Sequence, residues 1–375
     1  MLYVHIPFCK TKCLYCDFYT GGARIADWHR FVDSLLREYE TRRNELEEDP
    51  STLYLGGGTP SLIPASEFKR LIEGIRRYGH LNCYREATIE VNPEDVNDEK
   101  CKLWYDHGIN RVSLGIQSFE DHVLKAIGRG HDKKQSVYAL ETLKKYFSNI
   151  SVDLMFGLPG QTYESYQHTL ATVLSFEPQH ISSYSLMLEE GTAMTVLINR
   201  EVLRLPEEDI WMKMLENTPK ILNEAGYRHY EISNYALEGY ESIHNSGYWS
   251  GQSYLGIGPG AHSYNGNSRR RFNPNDIKGY IKFFSGLERN RNVFYEEEKL
   301  SENEMREEVI MTRLRTCQGI DLKEFEKKFG KDEVARLFHK VLKFKKQNFM
   351  IIKEDRLKFT EKGWPLFNSI VADLF

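Results

Sequence analysis

The chain has 375 residues, of which 41% are hydrophobic, so it can bury a sizeable core and has the length of about two or three domains. Its 50 Lys and Arg residues nearly balance 54 Asp and Glu residues, and the formal net charge of −4 gives no field that would attract nucleic acid. No run approaches the roughly 18 apolar residues of a transmembrane helix, and the N-terminus lacks the pattern of a signal peptide, so we expect a cytoplasmic protein.

The first 190 residues alternate short β-rich runs with amphipathic helical stretches. The predicted strands are residues 2–5, 52–55, 87–91, 111–116, 151–156 and 180–186. The predicted helices between them are residues 27–48, 66–78, 98–107, 133–147 and 163–176, with Asp27 and Ser66 as N-caps and Gly79 and Gly108 as stops. Six such repeats with nearly continuous apolar strands predict an α/β fold with a parallel sheet, and we expect an open, partial (β/α)6 barrel rather than a doubly wound sheet.

The pattern changes twice after the barrel segment of residues 1–190. Residues 191–300 form a predicted barrel-completing extension, with a helix over 207–224, short strands, many aromatic residues and a glycine-rich run at 256–260. Residues 301–375 form a predicted C-terminal winged-helix-like domain of three helices and a hairpin of 349–353 with 356–360. This domain has only a small surplus of basic residues, which favours a structural or docking role over DNA binding.

Three cysteines stand in a C-x3-C-x2-C array directly after the first strand: Cys9, Cys13 and Cys16. Three thiolates at this spacing indicate a metal or cluster site. A structural zinc ion would need a fourth ligand, which His5 or Asp17 could supply, whereas a [4Fe–4S] cluster held by three thiolates keeps one iron open for a small molecule. The other cysteines are isolated and expected to be free thiols, as in a reducing compartment: Cys83, Cys101 and Cys317.

A glycine run, Gly56-Gly57-Gly58-Thr59-Pro60, follows the second predicted strand. Consecutive glycines let the backbone approach a ligand closely, but the run lacks the Lys-Ser/Thr of a phosphate-binding loop. Taken alone it is equally well explained as a tight structural turn. Because it would lie beside the cysteine loop at the C-terminal rim of the sheet, where such barrels gather their chemistry, it indicates a ligand cradle.

The motifs together resemble the radical S-adenosylmethionine (SAM) superfamily. The matching runs, in chain order, are YVHIPFC at 3–9, the cysteine array, GGGTP at 56–60, IEVNP at 89–93, GIQSF at 115–119, GR at 128–129, VDL at 152–154 and GLPGQT at 157–162. More narrowly they resemble the family of oxygen-independent coproporphyrinogen III oxidases and the heme chaperones related to them. The resemblance covers nearly the whole chain and implies a partial barrel that carries a [4Fe–4S] cluster and SAM.

The resemblance also implies roles for single residues. It makes Cys9, Cys13 and Cys16 the cluster ligands, with the amino and carboxylate groups of SAM on the fourth iron. It places the following residues around SAM or the cluster: Tyr3, Tyr15, Gly57, Gly58, Thr59, Glu90, Gln117, Arg129 and Asp153. Each has a plainer explanation too, because Glu90 could be a rim carboxylate in an ion pair, Arg129 a solvated loop residue and Tyr15 part of the core.

Two features separate the oxidases from the chaperones. The oxidases carry a fourth cysteine two positions after the third, where this chain has Phe18, and they carry an N-terminal extension before the first strand. The run HNSGYW matches the H-N-x-x-Y-W motif of the heme chaperones, through His244, Asn245, Tyr248 and Trp249. An imidazole between aromatic rings suits a heme ligand, although a buried histidine in an aromatic core would give the same pattern.

The sequence therefore predicts a heme chaperone that carries the cluster, SAM and heme, and passes heme to an acceptor protein. The alternatives are an oxygen-independent coproporphyrinogen III oxidase and a radical SAM enzyme with an unrelated substrate. The arginines at 269–271 could neutralise heme propionates or could simply be solvated. The C-terminal domain could dock a partner protein or a membrane surface as a peripheral contact.

Overall fold

The computed structural model describes residues 1–22, 27–46, 48, 50–79, 84–286 and 293–375. Cys83 lies outside the described residues. The strands are β1 (Leu2–Ile6), β2 (Phe8–Cys9), β3 (Gly21–Gly22), β4 (Thr52–Gly57), β5 (Glu86–Val91), β6 (Arg111–Gln117), β7 (Ile150–Phe156), β8 (His180–Ser185), β9 (Arg228–Glu231), β10 (Asn234–Ala236), β11 (Leu255–Ile257), β12 (His262–Tyr264), β13 (Arg269–Phe272), β14 (Glu296–Lys299), β15 (Ile320–Asp321), β16 (Met350–Lys353) and β17 (Arg356–Phe359). The helices are α1 (Trp28–Arg42), α2 (Ala65–Gly79), α3 (Asp98–Asp106), α4 (Asp121–Ala126), α5 (Lys133–Leu143), α6 (Tyr163–Ser175), α7 (Ala193–Asn199), α8 (Glu208–Glu224), α9 (Ile243–Trp249), α10 (Ile277–Phe284), α11 (Glu302–Leu314), α12 (Leu322–Phe329), α13 (Lys331–Lys346) and α14 (Phe367–Leu374).

In the described part of the chain, nine strands form the central sheet, in the order β11-β1-β4-β5-β6-β7-β8-β10-β9. The pairs from β11 to β8 are parallel, whereas β10 pairs antiparallel with both β8 and β9. The six predicted parallel strands are confirmed, and helices connect them as in a partial barrel. The sequence did not predict β11 as a seventh parallel strand beside β1.

The alternation of side chains along each strand separates a helix-facing core from an inward face. In β1, Leu2, Val4 and Ile6 are fully buried in the main hydrophobic cluster, so Tyr3 and His5 take the opposite, inward face. The same alternation in β4 to β8 lines the barrel interior with polar side chains. This inward face is where a ligand can be held.

The helix ends follow local capping chemistry. The Asp27 side chain accepts a hydrogen bond from the backbone N–H of Arg30, which confirms the predicted N-cap of α1. Ser66 is not an N-cap, because the Pro64 carbonyl already accepts from Phe68 N–H and α2 begins at Ala65. Gly108 takes a positive φ of 80° after α3, as a helix stop does.

The extension of residues 191–300 shares its core with the barrel. Leu255 and Ile257 of β11 and Tyr280 of α10 belong to the same buried cluster as the barrel strands. A separate three-stranded sheet, β12-β13-β14, covers the open side next to β11. The arginines at 269–271 belong to β13.

The C-terminal segment has a hydrophobic cluster of its own, built from α11, α12, α13, the β16–β17 hairpin and α14. The hairpin was predicted, and β15 completes a three-stranded sheet beside it. Helix α14 follows the hairpin and was not predicted. The segment packs on the extension, where Arg313 donates to the Trp249 carbonyl at 2.9 Å and the Arg315 guanidinium lies 4.6 Å from the Trp249 ring centroid. Among the described helices, none combines the length and apolar character needed to cross a bilayer.

Candidate functional site

A cavity of about 410 Å³ opens inside the barrel, at the end of the sheet where β1 runs into the cysteine loop. It brings together residues that are far apart in the sequence. The predicted site residues that line it are Cys9, Cys13, Tyr15, Cys16, Gly57, Gly58, Thr59, Glu90, Gln117, Arg129, Asp153 and Asn245. The loops after the parallel strands therefore meet at one site as expected, and Asn245 of α9 joins them there.

The cysteine loop is fixed from both sides of the cavity. The Thr59 hydroxyl donates to the Cys9 Sγ at 3.5 Å, and an Arg129 guanidinium N–H donates to the Cys13 Sγ at 3.4 Å. Burial raises the pKa of the Cys9 and Cys16 thiols, so a soft metal centre would be needed to hold them as thiolates. Three thiols on one wall, with a cationic side chain beside them, form a donor set that fits an iron–sulfur cluster.

The alternative of a zinc site is not supported by the geometry of His5. The Nδ1 atom of His5 lies 2.9 Å from the Tyr3 hydroxyl, and Nε2 lies 3.4 Å from the Tyr19 carbonyl. Within the described ranges, no group of three or more His, Cys, Asp and Glu side chains is arranged to hold a single metal ion. A cubane cluster places its own iron and sulfide atoms between the thiolates, so it does not require the thiols to converge on one point.

The glycine loop passes directly beside the cysteine loop. Gly58 N–H donates to the Ile6 carbonyl at 2.8 Å, and a Cβ on Gly58 would lie 2.8 Å from the carbonyl oxygens of Ile6 and Phe8. Gly57 has a positive φ of 111°, a conformation that glycine adopts without cost. The loop therefore requires glycine for a close approach of two backbones, which leaves the edge of the cavity as bare peptide groups.

Glu90 lies on the inward face of β5 and is held at both oxygens. Oε1 accepts from the Tyr54 hydroxyl at 2.9 Å and Oε2 accepts from the Gly57 N–H at 3.0 Å. Burial raises the pKa of Glu90 to about 7, against the effect of these hydrogen bonds and with a further contribution from the charge of Asp153. A fixed carboxyl at this point can accept hydrogen bonds from a ligand's hydroxyl groups.

Gln117 and Arg129 carry polar atoms that the folded chain leaves unsatisfied. In the part of the chain that the structure describes, the Gln117 Oε1 and the Arg129 Nε atoms are buried and have no hydrogen-bond partner. Gln117 also has a positive φ of 67°, next to an irregularity in the pairing of β6 with β7. Because buried polar groups are normally paired, these atoms fit a polar ligand inside the cavity.

Arg129 is anchored at its other nitrogens. Its Nη2 amino group donates to the Asn92 Oδ1 at 2.8 Å and to the Gly115 carbonyl at 2.5 Å. The sequence-based alternative of a solvated loop arginine is therefore wrong. Asp153 lies on β7 beside Gly115, accepts from the Ser113 hydroxyl at 2.9 Å, and has a pKa that burial raises.

Tyr3 does not line the barrel cavity. Its hydroxyl contacts His5, its ring lies 6.1 Å from the Tyr54 ring, and the charge of Glu90 contributes to raising its pKa, after burial. The role of Tyr3 beside the cluster or SAM stays a prediction. Tyr3 instead lines a second cavity of about 700 Å³, together with Tyr248 and Trp249.

The H-N-x-x-Y-W motif occupies α9, whose N-terminus closes the base of the barrel. Glu86 accepts hydrogen bonds from the N–H groups of Ile243 and His244 at 2.8 and 2.9 Å. His244 is fully buried, with Nδ1 2.8 Å from the Thr52 hydroxyl and Nε2 2.9 Å from the Tyr248 hydroxyl. Burial lowers the pKa of His244 to about 3, so the ring is neutral.

The four motif residues thus point to three different places. Asn245 lines the barrel cavity, whereas Tyr248 and Trp249 line the second cavity. His244 lies between them with both ring nitrogens hydrogen-bonded. This position corresponds to the alternative of a buried histidine in an aromatic core, and it counts against His244 as an available heme ligand.

Sequence reasoning missed the polar inward positions deeper in the barrel. These are Tyr54, Thr88, Arg111, Ser113, Ser151, His180, Ser182 and Tyr184. His180, for example, pairs with the Ser151 hydroxyl at 2.7 Å and with the Tyr230 hydroxyl at 2.7 Å. A polar residue at every second position of an otherwise apolar strand is the signal that could have revealed them.

Two family models match this chain. The radical SAM superfamily model matches residues 3–173, and the HemN C-terminal domain model matches residues 300–366. The coproporphyrinogen III oxidase HemN of Escherichia coli superposes with a TM-score of 0.84 at 22% identity, over 100% of this chain and 89% of that chain. At this identity the likeness shows the shared fold.

Curated proteins are similar over nearly the full length. A heme chaperone HemW of Lactococcus lactis is 37% identical over 98% of this chain and 95% of its own, and one of Bacillus subtilis is 35% identical over 98% and 97%. A mitochondrial radical S-adenosyl methionine domain-containing protein 1 of Danio rerio is 30% identical over 100% of this chain and 86% of its own.

Proposed function

Because this chain belongs to the HemW family of the radical SAM superfamily, we propose that it is a heme chaperone which binds heme and passes it to an acceptor protein. The observation that carries the proposal is the identity of 37% and 35%, over nearly the whole chain, to proteins named heme chaperone HemW. Membership of the superfamily implies a [4Fe–4S] cluster and SAM. We place the transfer in the cytoplasm, where isolated thiols such as Cys101 stay reduced.

In this proposal the cysteine loop holds the cluster through Cys9, Cys13 and Cys16. Thr59 and Arg129 orient two of these sulfur atoms, and the Arg129 charge offsets that of the thiolates. When bound, such a cluster supplies a low-potential electron to the sulfonium group of SAM.

The barrel cavity holds SAM. The peptide groups of Gly57, Gly58 and Thr59 border the amino acid portion, and Glu90 accepts from the ribose hydroxyl groups. The unsatisfied Arg129 Nε atom donates to the same ligand, and the unsatisfied Gln117 Oε1 atom accepts from it. The remaining predicted SAM residues that line the cavity are Tyr15, as an aromatic wall, and Asp153.

Heme binds near the aromatic rings of the H-N-x-x-Y-W motif, Tyr248 and Trp249. Phe18, at the position where the oxidases carry a fourth cysteine, lines both cavities and is 59% exposed. A large exposed ring between two cavities suits contact with a flat apolar ligand. The C-terminal domain offers the surface for the acceptor protein, with a peripheral membrane contact as the second use of that surface.

The test uses the full chain after anaerobic cluster reconstitution. One sample is titrated with hemin, and a second receives coproporphyrinogen III, SAM and a reductant. We expect a Soret shift that saturates near one hemin per chain and no protoporphyrinogen. Protoporphyrinogen formation would instead favour the oxidase, and a missing Soret shift would overturn the chaperone proposal.

The cluster is tested by a matched cysteine pair. Cys13→Ser removes a proposed ligand, whereas Cys317→Ser changes a half-buried free thiol elsewhere in the chain. We expect the iron and sulfide content to fall below a tenth of the wild-type value in the first variant and to be unchanged in the second. Zinc in place of iron in the wild-type protein would contradict the assignment.

A further inference from the structure

The second cavity has the size and the lining of a binding site for a large flat molecule. Its volume of about 700 Å³ is within the range of small-molecule pockets. Seven aromatic rings line its walls: Tyr3, Phe18, Tyr19, Tyr248, Trp249, Tyr254 and Tyr264. Three of them form a continuous series, with ring centroids 4.7 Å apart for Tyr248 and Tyr254 and 6.2 Å apart for Tyr254 and Tyr264.

One imidazole in this cavity is available for a ligand. His262 and Tyr264 alternate on one face of β12, opposite Phe272 and Arg270 of β13, so their side chains share the cavity side of this sheet. His262 is exposed, and among the described residues its ring nitrogens have no hydrogen-bond partner. Its ring stacks on Phe272 at 5.7 Å, which orients it. The burial of one part of the His262 ring, and then the charge of Arg270, lower the pKa of His262, so the neutral form that binds iron is favoured.

The charged groups around the cavity favour an anion. Arg270, Arg313 and Lys328 contribute three cationic groups, against the carboxylates of Asp17 and Glu308. Glu308 is itself paired with Arg270. The strand pairing also separates the predicted arginines, because Arg270 faces the cavity while Arg271 faces away and pairs with Glu45 and Glu297.

Two polar atoms on the cavity wall are buried and unsatisfied. Within the described residues, neither the Trp249 Nε1 nor the Glu308 Oε2 has a hydrogen-bond partner. A ligand or its ordered water can satisfy them. By contrast, His244 is fully buried and both of its nitrogens are engaged, so iron could reach its Nε2 atom only if the Tyr248 hydroxyl moved away.

We propose that this second cavity is the heme-binding site and that His262, rather than His244, is the axial ligand. Arg270 and Arg313 neutralise the propionates, and Phe18 packs against the porphyrin on the side of the cluster. The inference rests on the proposed function, because it names the site of the heme that a chaperone carries.

The test measures hemin binding by the Soret band in the full chain and in three variants. His262→Ala removes the ligand, His339→Ala changes an exposed histidine of α13 as a control, and Arg270→Gln removes one propionate partner. We expect at least a tenfold loss of affinity in His262→Ala, and restoration of the wild-type Soret maximum by free imidazole. We expect His339→Ala to bind like the wild type, and Arg270→Gln to lose most of the preference for hemin over hemin dimethyl ester.

The outcomes distinguish a failure of the proposed heme site from a failure of the proposed chaperone function. If the wild-type protein does not bind hemin, the proposed function fails. If the wild type binds hemin and His262→Ala binds it equally, or loses it without rescue by imidazole, the site is wrong while the chaperone function stands. A loss that imidazole rescues, with the control unchanged, supports the site.

Discussion

The rings of Tyr54 and His244 lie 5.0 Å apart. The Tyr54 hydroxyl donates to Glu90 in the barrel cavity, and the His244 ring bonds to Tyr248 at the edge of the second cavity. One series of contacts therefore runs from the proposed SAM site through the buried histidine to the aromatic cavity. This arrangement makes His244 a positioning residue that joins two sites.

If His244 is a structural link, its removal should reduce stability more than it reduces heme binding. His244→Ala loses hydrogen bonds to Thr52 and Tyr248 and leaves a void, so we expect the free energy of unfolding to fall by about 3 kcal/mol. Urea unfolding measures this value, and hemin titration of the folded fraction should give an affinity close to that of the wild type. The exposed His339→Ala should change stability by less than about 0.5 kcal/mol.

His244→Ala should also change how the stability of the protein depends on pH. Burial lowers the pKa of His244 to about 3 from 6.5, so below pH 6.5 the unfolded chain takes up a proton that the folded chain does not. The stability contributed by the neutral ring is present above pH 6.5 and is lost as the pH falls toward 3. The free energy of unfolding of the wild type should therefore exceed that of His244→Ala by less at acid pH than at neutral pH. An excess that grows in acid would contradict a buried, neutral His244 ring.

Glu90 should produce the opposite pH dependence. Burial raises its pKa from 4.5 to about 7, so the folded state prefers the protonated carboxyl. Stability associated with this proton is complete below pH 4.5 and is lost as the pH rises through about 7, at a cost of about 3 kcal/mol. We therefore expect the urea midpoint of Glu90→Gln to rise relative to that of the wild type as the pH increases from 4.5 to about 7. Parallel curves for the two proteins would show that Glu90 is not the titrating group.

Gly58 should be intolerant of a side chain because two backbones meet there. A Cβ at Gly58 would lie 2.8 Å from the Ile6 and Phe8 carbonyl oxygens, immediately before Cys9. We expect Gly58→Ala to cost about 2 kcal/mol and to speed the loss of iron from the reconstituted protein by about tenfold. Gly22→Ala is the control, because no heavy atom of the described residues, its chain neighbours aside, lies within 4 Å of the added Cβ. Equal iron retention in both variants would argue against a close contact of the loops.

Periodicity was sufficient to predict the barrel and most of its rim. The six parallel strands alternate with helices along the chain, and the residues that follow the strands meet because parallel strands share one carboxyl edge. The pairing of β11 with β1 could not be predicted in this way. It involves three residue pairs about 250 positions apart, such as Leu2 with Leu255, and a three-residue strand carries no periodic signal.

The positions of Tyr3 and His244 could not be predicted for the same reason. Tyr3 and His5 occupy the inward face of β1 as their alternation implies, but the added strand β11 gives that face a cavity of its own. The engagement of His244 depends on Thr52, which lies 192 positions away. A sequence motif indicates which residues act together. The hydrogen-bond partners that occupy the nitrogens of a histidine ring are known only from the folded structure.

Gln117 offers a test of strain at the proposed SAM site. Its φ of 67° is unfavourable for a residue with a side chain, and the Oε1 atom is buried without a partner in the described structure. Gln117→Gly should relieve both costs, so we expect the cluster-loaded protein without SAM to gain about 1 kcal/mol of stability and to bind SAM at least tenfold more weakly. Glu177→Gly is the matched control, since Glu177 also has a positive φ, of 49°, but is exposed and lies outside the barrel cavity. Glu177→Gly should gain similar stability, and its SAM affinity, measured by equilibrium dialysis, should be unchanged. If Gln117→Gly binds SAM as the wild type does, the unsatisfied Gln117 amide oxygen does not contribute to SAM binding.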